Sequence, residues 1–173
     1  MHELAVTAVG ADRPGIVAAV SEVLHDIGGN VEDSAMTILG GHFAIVLLVA
    51  SPTDASQLRS ALAPVADELG LTISVSDAEG QRHLHEPSHL LSVYGADKPG
   101  ILAGVTRALA DEGANITDLE TRVLDPDDEP VYAMVVEVVV GEGGEAGLAA
   151  AVDEACETLG VDHTLRTIEA ETY

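Results

Sequence analysis

An internal repeat constrains this chain more than any other feature. Val9 to Asp33 reads VGADRPGIVAAVSEVLHDIGGNVED, and Tyr94 to Asp118 reads YGADKPGILAGVTRALADEGANITD. The two align without a gap at an offset of 85 residues, with 13 of 25 positions identical. Farther on, Leu69-Gly70-Leu71 answers Leu159-Gly160-Val161 at an offset of 90. The extra residues fall mostly in the turn Asp125-Pro126-Asp127-Asp128-Glu129-Pro130, whose counterpart is the short Gly40-Gly41. Such self-similarity describes one supersecondary unit used twice. The polar segment Asp77 to Ser88, DAEGQRHLHEPS, lacks apolar periodicity and reads as a connection. The expected organisation is therefore a first unit at 1–77, a linker at 78–88 and a second unit at 89–173. Units of this size are at the small end for independent stability, so they are expected to pack together.

Within the first copy, Leu4 to Val9 is a short run of β-formers ending at Gly10. Pro14-Gly15 then opens a helix with Pro in its first turn. Ile16, Val20, Val23, Leu24 and Ile27 make one apolar face at helical spacing. Val31 to Leu39 and His42 to Ala50 flank Gly40-Gly41, a two-residue hairpin signal. Leu58, Leu62, Val65, Ala66 and Leu69 form a second helical face, and Leu71 to Val75 a last strand. The order β-α-β-β-α-β is the ferredoxin-like arrangement, an α+β fold with antiparallel sheets. The second copy repeats it with Leu90 to Tyr94, Pro99 to Glu112, Ile116 to Val123, Val131 to Val140, Glu145 to Leu159 and Asp162 to Ile168. Cys156 falls at the position of Ala66, on a core face, and reads as a buried small hydrophobe. FAIVLLVA and AMVVEVVV are nearly continuous apolar runs. They suggest strands covered on both faces, the second face by the other copy or another chain, so a homo-oligomer is expected.

Composition narrows the function by exclusion. Thirty acidic residues against seven basic ones leave a formal charge of −23, which repels phosphate backbones and argues against direct nucleic-acid binding. The same strand order builds RNA-recognition modules, but those need aromatic platforms and a basic face, and Phe43, Tyr94, Tyr132 and Tyr173 are the only aromatics. No apolar stretch is long enough to span a bilayer, and no signal peptide is evident, so a cytoplasmic protein without membrane contact is expected. No phosphate-binding, dinucleotide, serine-hydrolase or zinc-protease motif occurs, so no enzymatic activity and no cofactor are expected. His83, His85 and His89 with Glu86 could hold a metal, but their linker position and absence from the repeat favour solvated histidines.

The chemistry then rests on Gly10-Ala11-Asp12-Arg13-Pro14-Gly15-Ile16 and its echo Gly95-Ala96-Asp97-Lys98-Pro99-Gly100-Ile101. Each lies between a strand and a helix N-terminus, where free backbone N–H groups and the positive dipole end can hold a carboxylate. Gly15 and Gly100 allow close approach to the backbone. Asp12 and Asp97 suit either a helix cap or a ligand ammonium. A purely structural reading accounts for each residue type separately. Against it stands the recurrence of Arg13 and Lys98 in a chain poor in basic residues. Asn30 and Asn115, expected beside this loop at the start of the next strand, can both donate and accept.

These residues carry a family resemblance. The D-x-P-G-I loop, the helix and the following G-x-N-I/V, present twice, resemble ACT domains, the regulatory ligand-binding modules of amino-acid metabolism. VTAVGADRPGIV at Val6 to Val17, Asn30-Val31-Glu32-Asp33-Ser34 and Leu39-Gly40-Gly41-His42-Phe43 further resemble the glycine cleavage system transcriptional repressor family. The resemblance implies a tandem ACT protein without a catalytic domain, holding a small amino acid near a junction between ACT units. Carried over by motif position, the contacts are Asp12, Pro14, Gly15, Ile16 and Asn30, then Asp97, Pro99, Gly100, Ile101 and Asn115. It also implies action through a regulatory protein partner, in control of glycine or one-carbon metabolism. The competing reading is a structural adaptor whose loop glycines only shape the fold.

Overall fold

The computed structural model describes residues 1–78, 86–124, 130–141 and 143–168. The chain divides into two compact units, with the boundary inside the 78–88 segment. The first contains β1 (His2–Ala11), α1 (Ile16–Asp26), β2 (Asn30–Leu39), β3 (His42–Ser51), α2 (Ala55–Leu69) and β4 (Thr72–Asp77). The second contains β5 (His89–Ala96), α3 (Ile101–Asp111), β6 (Asn115–Leu124), β7 (Val131–Val139), α4 (Glu145–Leu159) and β8 (Asp162–Thr167). Each is a βαββαβ unit with a four-stranded antiparallel sheet, ordered β2-β3-β1-β4 and β6-β7-β5-β8. Most of the acidic turn before Pro130, and His83 and His85 of the linker, lie outside the described residues.

Two periodicities build each core. Alternate strand residues Leu4, Val6 and Ala8, and Phe43, Ile45, Leu47 and Val49, point to the helix side and are buried. Ile16, Val20 and Leu24 of α1 and Leu58 and Leu62 of α2 close over them. In the second unit Leu91 and Val93, Met134, Val136 and Val138, Ile101, Val105 and Leu109, and Leu148, Val152 and Cys156 do the same. Cys156 is fully buried, and burial raises its thiol pKa, with Asp153 adding to the effect. Helices cover only one sheet face. On the opposite face Val9, Val46, Tyr94 and Val135 remain 40–48% exposed. Among the described residues no helix is long and apolar enough to cross a membrane.

Two local features depart from expectation, and a third, Pro64, lies inside an expected helix. Helix α1 begins at Ile16, one residue after an N-cap Gly15 in the left-handed region, so Pro14 precedes the helix. His89, expected to be solvated, is instead a buried residue of β5. It is 4% exposed, and its Nδ1 lies 2.9 Å from Ser88 Oγ, which also donates to Val138 O and accepts from Val140 N. Helix α2 runs through Pro64 without a break. Pro64 cannot donate to the preceding turn, a defect that costs on the order of 3 kcal/mol inside a helix. Packing of Leu58 and Leu62 on the sheet offsets it. Because Pro64 is exposed and α4 carries Glu154 at the matching position, Pro64→Ala is expected to stabilise the first unit by roughly 1–3 kcal/mol. Urea denaturation of the whole chain measures this, and a lower midpoint would contradict it.

Candidate functional site

The two β-to-α turns have the same construction. In the first unit the ladder of β1 and β3 ends at Ala11 opposite His42, and Asp12 N–H extends it by donating to Gly41 O at 2.9 Å. The chain then reverses through Pro14 and Gly15, where φ is 96°. A non-glycine residue in the left-handed region costs about 1–2 kcal/mol. Gly15 O accepts from Ala19 N–H at 2.9 Å, and Ile16 is 2% exposed, anchoring the turn in the core. In the second unit Asp97 N–H donates to Pro130 O at 3.1 Å, Gly100 has φ 97°, Gly100 O accepts from Gly104 N–H at 2.9 Å, and Ile101 is 2% exposed.

Among the described residues no side-chain cap hydrogen bond closes the start of α1 or α3, whose N-caps are Gly15 and Gly100. Helix α2, by contrast, has a full capping box, in which Asp54 Oδ1 accepts from Gln57 N–H at 2.9 Å and Gln57 Oε1 accepts from Asp54 N–H at 3.2 Å. The D-x-x-Q spacing at Asp54 was the signal for it. Thus Asp12 and Asp97 are exposed side chains beside uncapped helix ends, whose first-turn amides point past the helix. A Cβ built on Gly15 or Gly100 meets nothing within 4 Å, so both turns open onto free space.

Other parts of the repeated motif are accounted for by packing. Arg13 Nη2 donates to Glu68 O at 3.4 Å and lies 3.9 Å from the Cβ position of Gly70, the C-cap of α2. Lys98 Nζ lies 3.6 Å from the corresponding position of Gly160, the C-cap of α4. Both cations therefore sit at the negative end of the second helix of their unit. Their recurrence reflects that attraction. Gly10 and Gly95 recur because the chain entering the last strand passes close by. A Cβ on Gly10 would stand 2.6 Å from Leu71 Cδ2 and 3.1 Å from Gly70 O, and one on Gly95 3.0 Å from Val161 Cγ1.

Asn30 and Asn115 are not beside these turns. Asn30 pairs with Ala50, at the His2 end of the sheet, whereas the turn leaves from the His42 end. The length of β2 separates them, about 30 Å at ~3.3 Å per residue. Asn115, opposite Val139, is equally remote from Asp97. Within one unit the structure brings together Asp12, Pro14, Gly15 and Ile16, or Asp97, Pro99, Gly100 and Ile101, without the asparagine. The asparagines instead begin β2 and β6, each an edge strand of its sheet. Every residue of β2 is exposed, including Met36 at 52%, Ile38 at 51% and Leu39 at 75%. Both edge strands shift register at the same place, between Val31 and Asp33 and between Ile116 and Asp118. These matched bulges were signalled only by the recurrence of Asp33 and Asp118 in the repeat. Elsewhere, a groove of about 440 Å³ runs between α3 and α4, lined by Gly104, Arg107, Ala108, Ala155 and Leu159 among others. None of the turn residues lines it.

The fold, the duplicated turn and the open helix ends define a tandem ACT-domain protein. The ACT-domain model matches residues 2–76 and again 89–157, and the chain belongs to that family. Its relatives include the glycine cleavage system transcriptional repressor of Escherichia coli, 28% identical over 91% of this chain and 84% of the repressor. A UPF0237 protein of Methanopyrus kandleri is 42% identical over 49% of this chain and 98% of its own length. Among solved structures, an unknown protein from Galdieria sulphuraria superposes with a TM-score of 0.84 at 33% identity, covering 97% of this chain and 99% of that one.

Proposed function

We propose that this chain is an amino-acid sensor that works by binding and not by catalysis. The observation that carries the reading is the pair of uncapped helix starts, each behind a left-handed glycine with open space in front. The ligand carboxylate docks on the first-turn amides of α1 or α3, where the helix dipole favours an anion. Asp12 or Asp97 accepts from its ammonium group. Asn30 or Asn115 joins only from a second copy of the chain. Two edge strands laid side by side in antiparallel sense set the first residue of one against the last residue of the other. Such pairing delivers the partner's asparagine to the turn and covers the exposed apolar residues of β2. Ligand binding at that junction changes how the copies pack, and a regulatory protein partner reads the change. The repressor named above supplies the context, transcriptional control of glycine or one-carbon metabolism.

A thermal-shift screen of the free amino acids on the whole chain tests this reading. At a hundredfold excess over the dissociation constant, a ligand of the native state adds about 2.7 kcal/mol. One or more small amino acids should raise the melting temperature accordingly, and Gly15→Ala and Gly100→Ala, made separately, should each weaken the effect. No shift with any amino acid, together with retained self-association, leaves the structural adaptor as the function.

A further inference from the structure

The two turns are not chemically equivalent, and the difference lies in β7. Tyr132 pairs with Gly95 on one side and Val123 on the other, at the end of the sheet where the Asp97 turn emerges. It alternates in phase with buried Met134, Val136 and Val138, so its ring is on the helix face, half-buried against the core. Its hydroxyl donates to Met134 Sδ at 3.9 Å, and Thr121 stands directly opposite Met134 on the neighbouring strand β6. Burial raises the phenol pKa, the Thr121 contact lowers it, and the nearby Asp97 carboxylate raises it again. The register thus sets a phenol and an alcohol on one face of the sheet at the end where the turn emerges, and Asp97 N–H donates to Pro130 O, two residues before Tyr132. In the first unit the register sets Phe43 opposite Gly10, as Tyr132 is opposite Gly95. The offset of 85 sets Met36 at the place of Thr121. Phe43 is 2% exposed, and neither side chain carries a hydroxyl.

Resting on the amino-acid-sensing reading above, we propose that Tyr132 and Thr121 make the second unit selective for a neutral amino acid with a polar side chain. Their hydroxyls bond its side-chain hydroxyl or amide, and Asp97 opposes an acidic side chain. The first unit, with Phe43 and Met36 in the same places, takes small or apolar amino acids. The two halves then report on different members of the amino-acid pool.

Tyr132→Phe tests this, because the first unit already accommodates Phe at that place. Calorimetric titration of the whole chain uses matched pairs differing in polarity at nearly constant shape: L-threonine with L-valine, L-serine with L-2-aminobutyrate, and L-asparagine with L-leucine. The polar member of at least one pair should bind about tenfold more tightly, a margin of ~1.4 kcal/mol. Tyr132→Phe and Thr121→Val should each reduce that preference at least severalfold while leaving the affinity of the apolar member unchanged within about twofold. Binding without polar preference, or a preference that survives both substitutions, overturns this inference and leaves the sensor reading standing. Absence of binding by every amino acid removes both.

Discussion

Phe43→Ala is expected to destabilise the first unit by about 3–5 kcal/mol, the usual cost of removing a large buried aromatic side chain. Phe43 is the one phenylalanine in the chain, is 2% exposed, and belongs to the core cluster that includes Ile16 and Leu71. Few contacts are positioned to compensate. It stands opposite Gly10, which has no side chain to lean into the gap, and the Gly10 backbone is already held by the close passage of Leu71. The residue also supports the turn, since Asp12 N–H is held by Gly41, two residues before Phe43. Loss of stability and loss of ligand binding by the first unit should therefore appear together. At roughly 4–8 °C per kcal/mol for a unit of this size, the first unit should melt more than about 12 °C lower in scanning calorimetry. A cost below about 1 kcal/mol would place Phe43 outside the core.

Salt is expected to have an effect of comparable size. Seven basic residues can neutralise at most seven of the thirty acidic ones. The pairs Arg107–Asp111 at 3.1 Å and Arg122–Glu120 at 3.7 Å are exposed, so each contributes little. Two like charges 10 Å apart in water repel by about 0.4 kcal/mol, and a surplus of 23 charges over two compact units makes many such pairs. Unfolding spreads the charges, so the repulsion opposes the native state. The Debye length falls from about 10 Å at 0.1 M to about 3 Å at 1 M, which removes most of it. Stability measured by urea denaturation should rise by several kcal/mol between ~0.05 M and ~1 M potassium chloride. A urea midpoint unchanged over that range would contradict the expectation.

The repeat made the fold legible because most core positions occur twice, in phase with a strand or helix period. Leu58 and Leu148, or Ile16 and Ile101, are buried for reasons a sequence displays. What was not legible depends on which end of the sheet a residue occupies. Asn30 follows α1 closely in sequence, yet an antiparallel helix returns the chain to the far end of the sheet, away from Asp12. The recurrence of Arg13 and Lys98 speaks against a purely structural turn in the sequence, but its reason lies at the last turns of α2 and α4, more than fifty residues onward. Pro64 breaks the local rule for helix interiors, yet the apolar spacing from Leu58 to Leu69 carries the helix across it. His89 shared the polarity of the linker but is locked into β5 by Ser88. The turn itself, with Gly15 and Gly100 left-handed and both helices uncapped, follows from residues adjacent in sequence.

The most direct test is a titration of the isotopically labelled chain with the amino acid that gives the largest melting shift, followed by amide resonances. Saturable shifts should be largest at Ile16, Val17 and Ala18, or at Ile101, Leu102 and Ala103, with Gly15 and Gly100 beside them. Saturable binding that leaves all of these amides in place and moves those of the α3–α4 groove instead would contradict it.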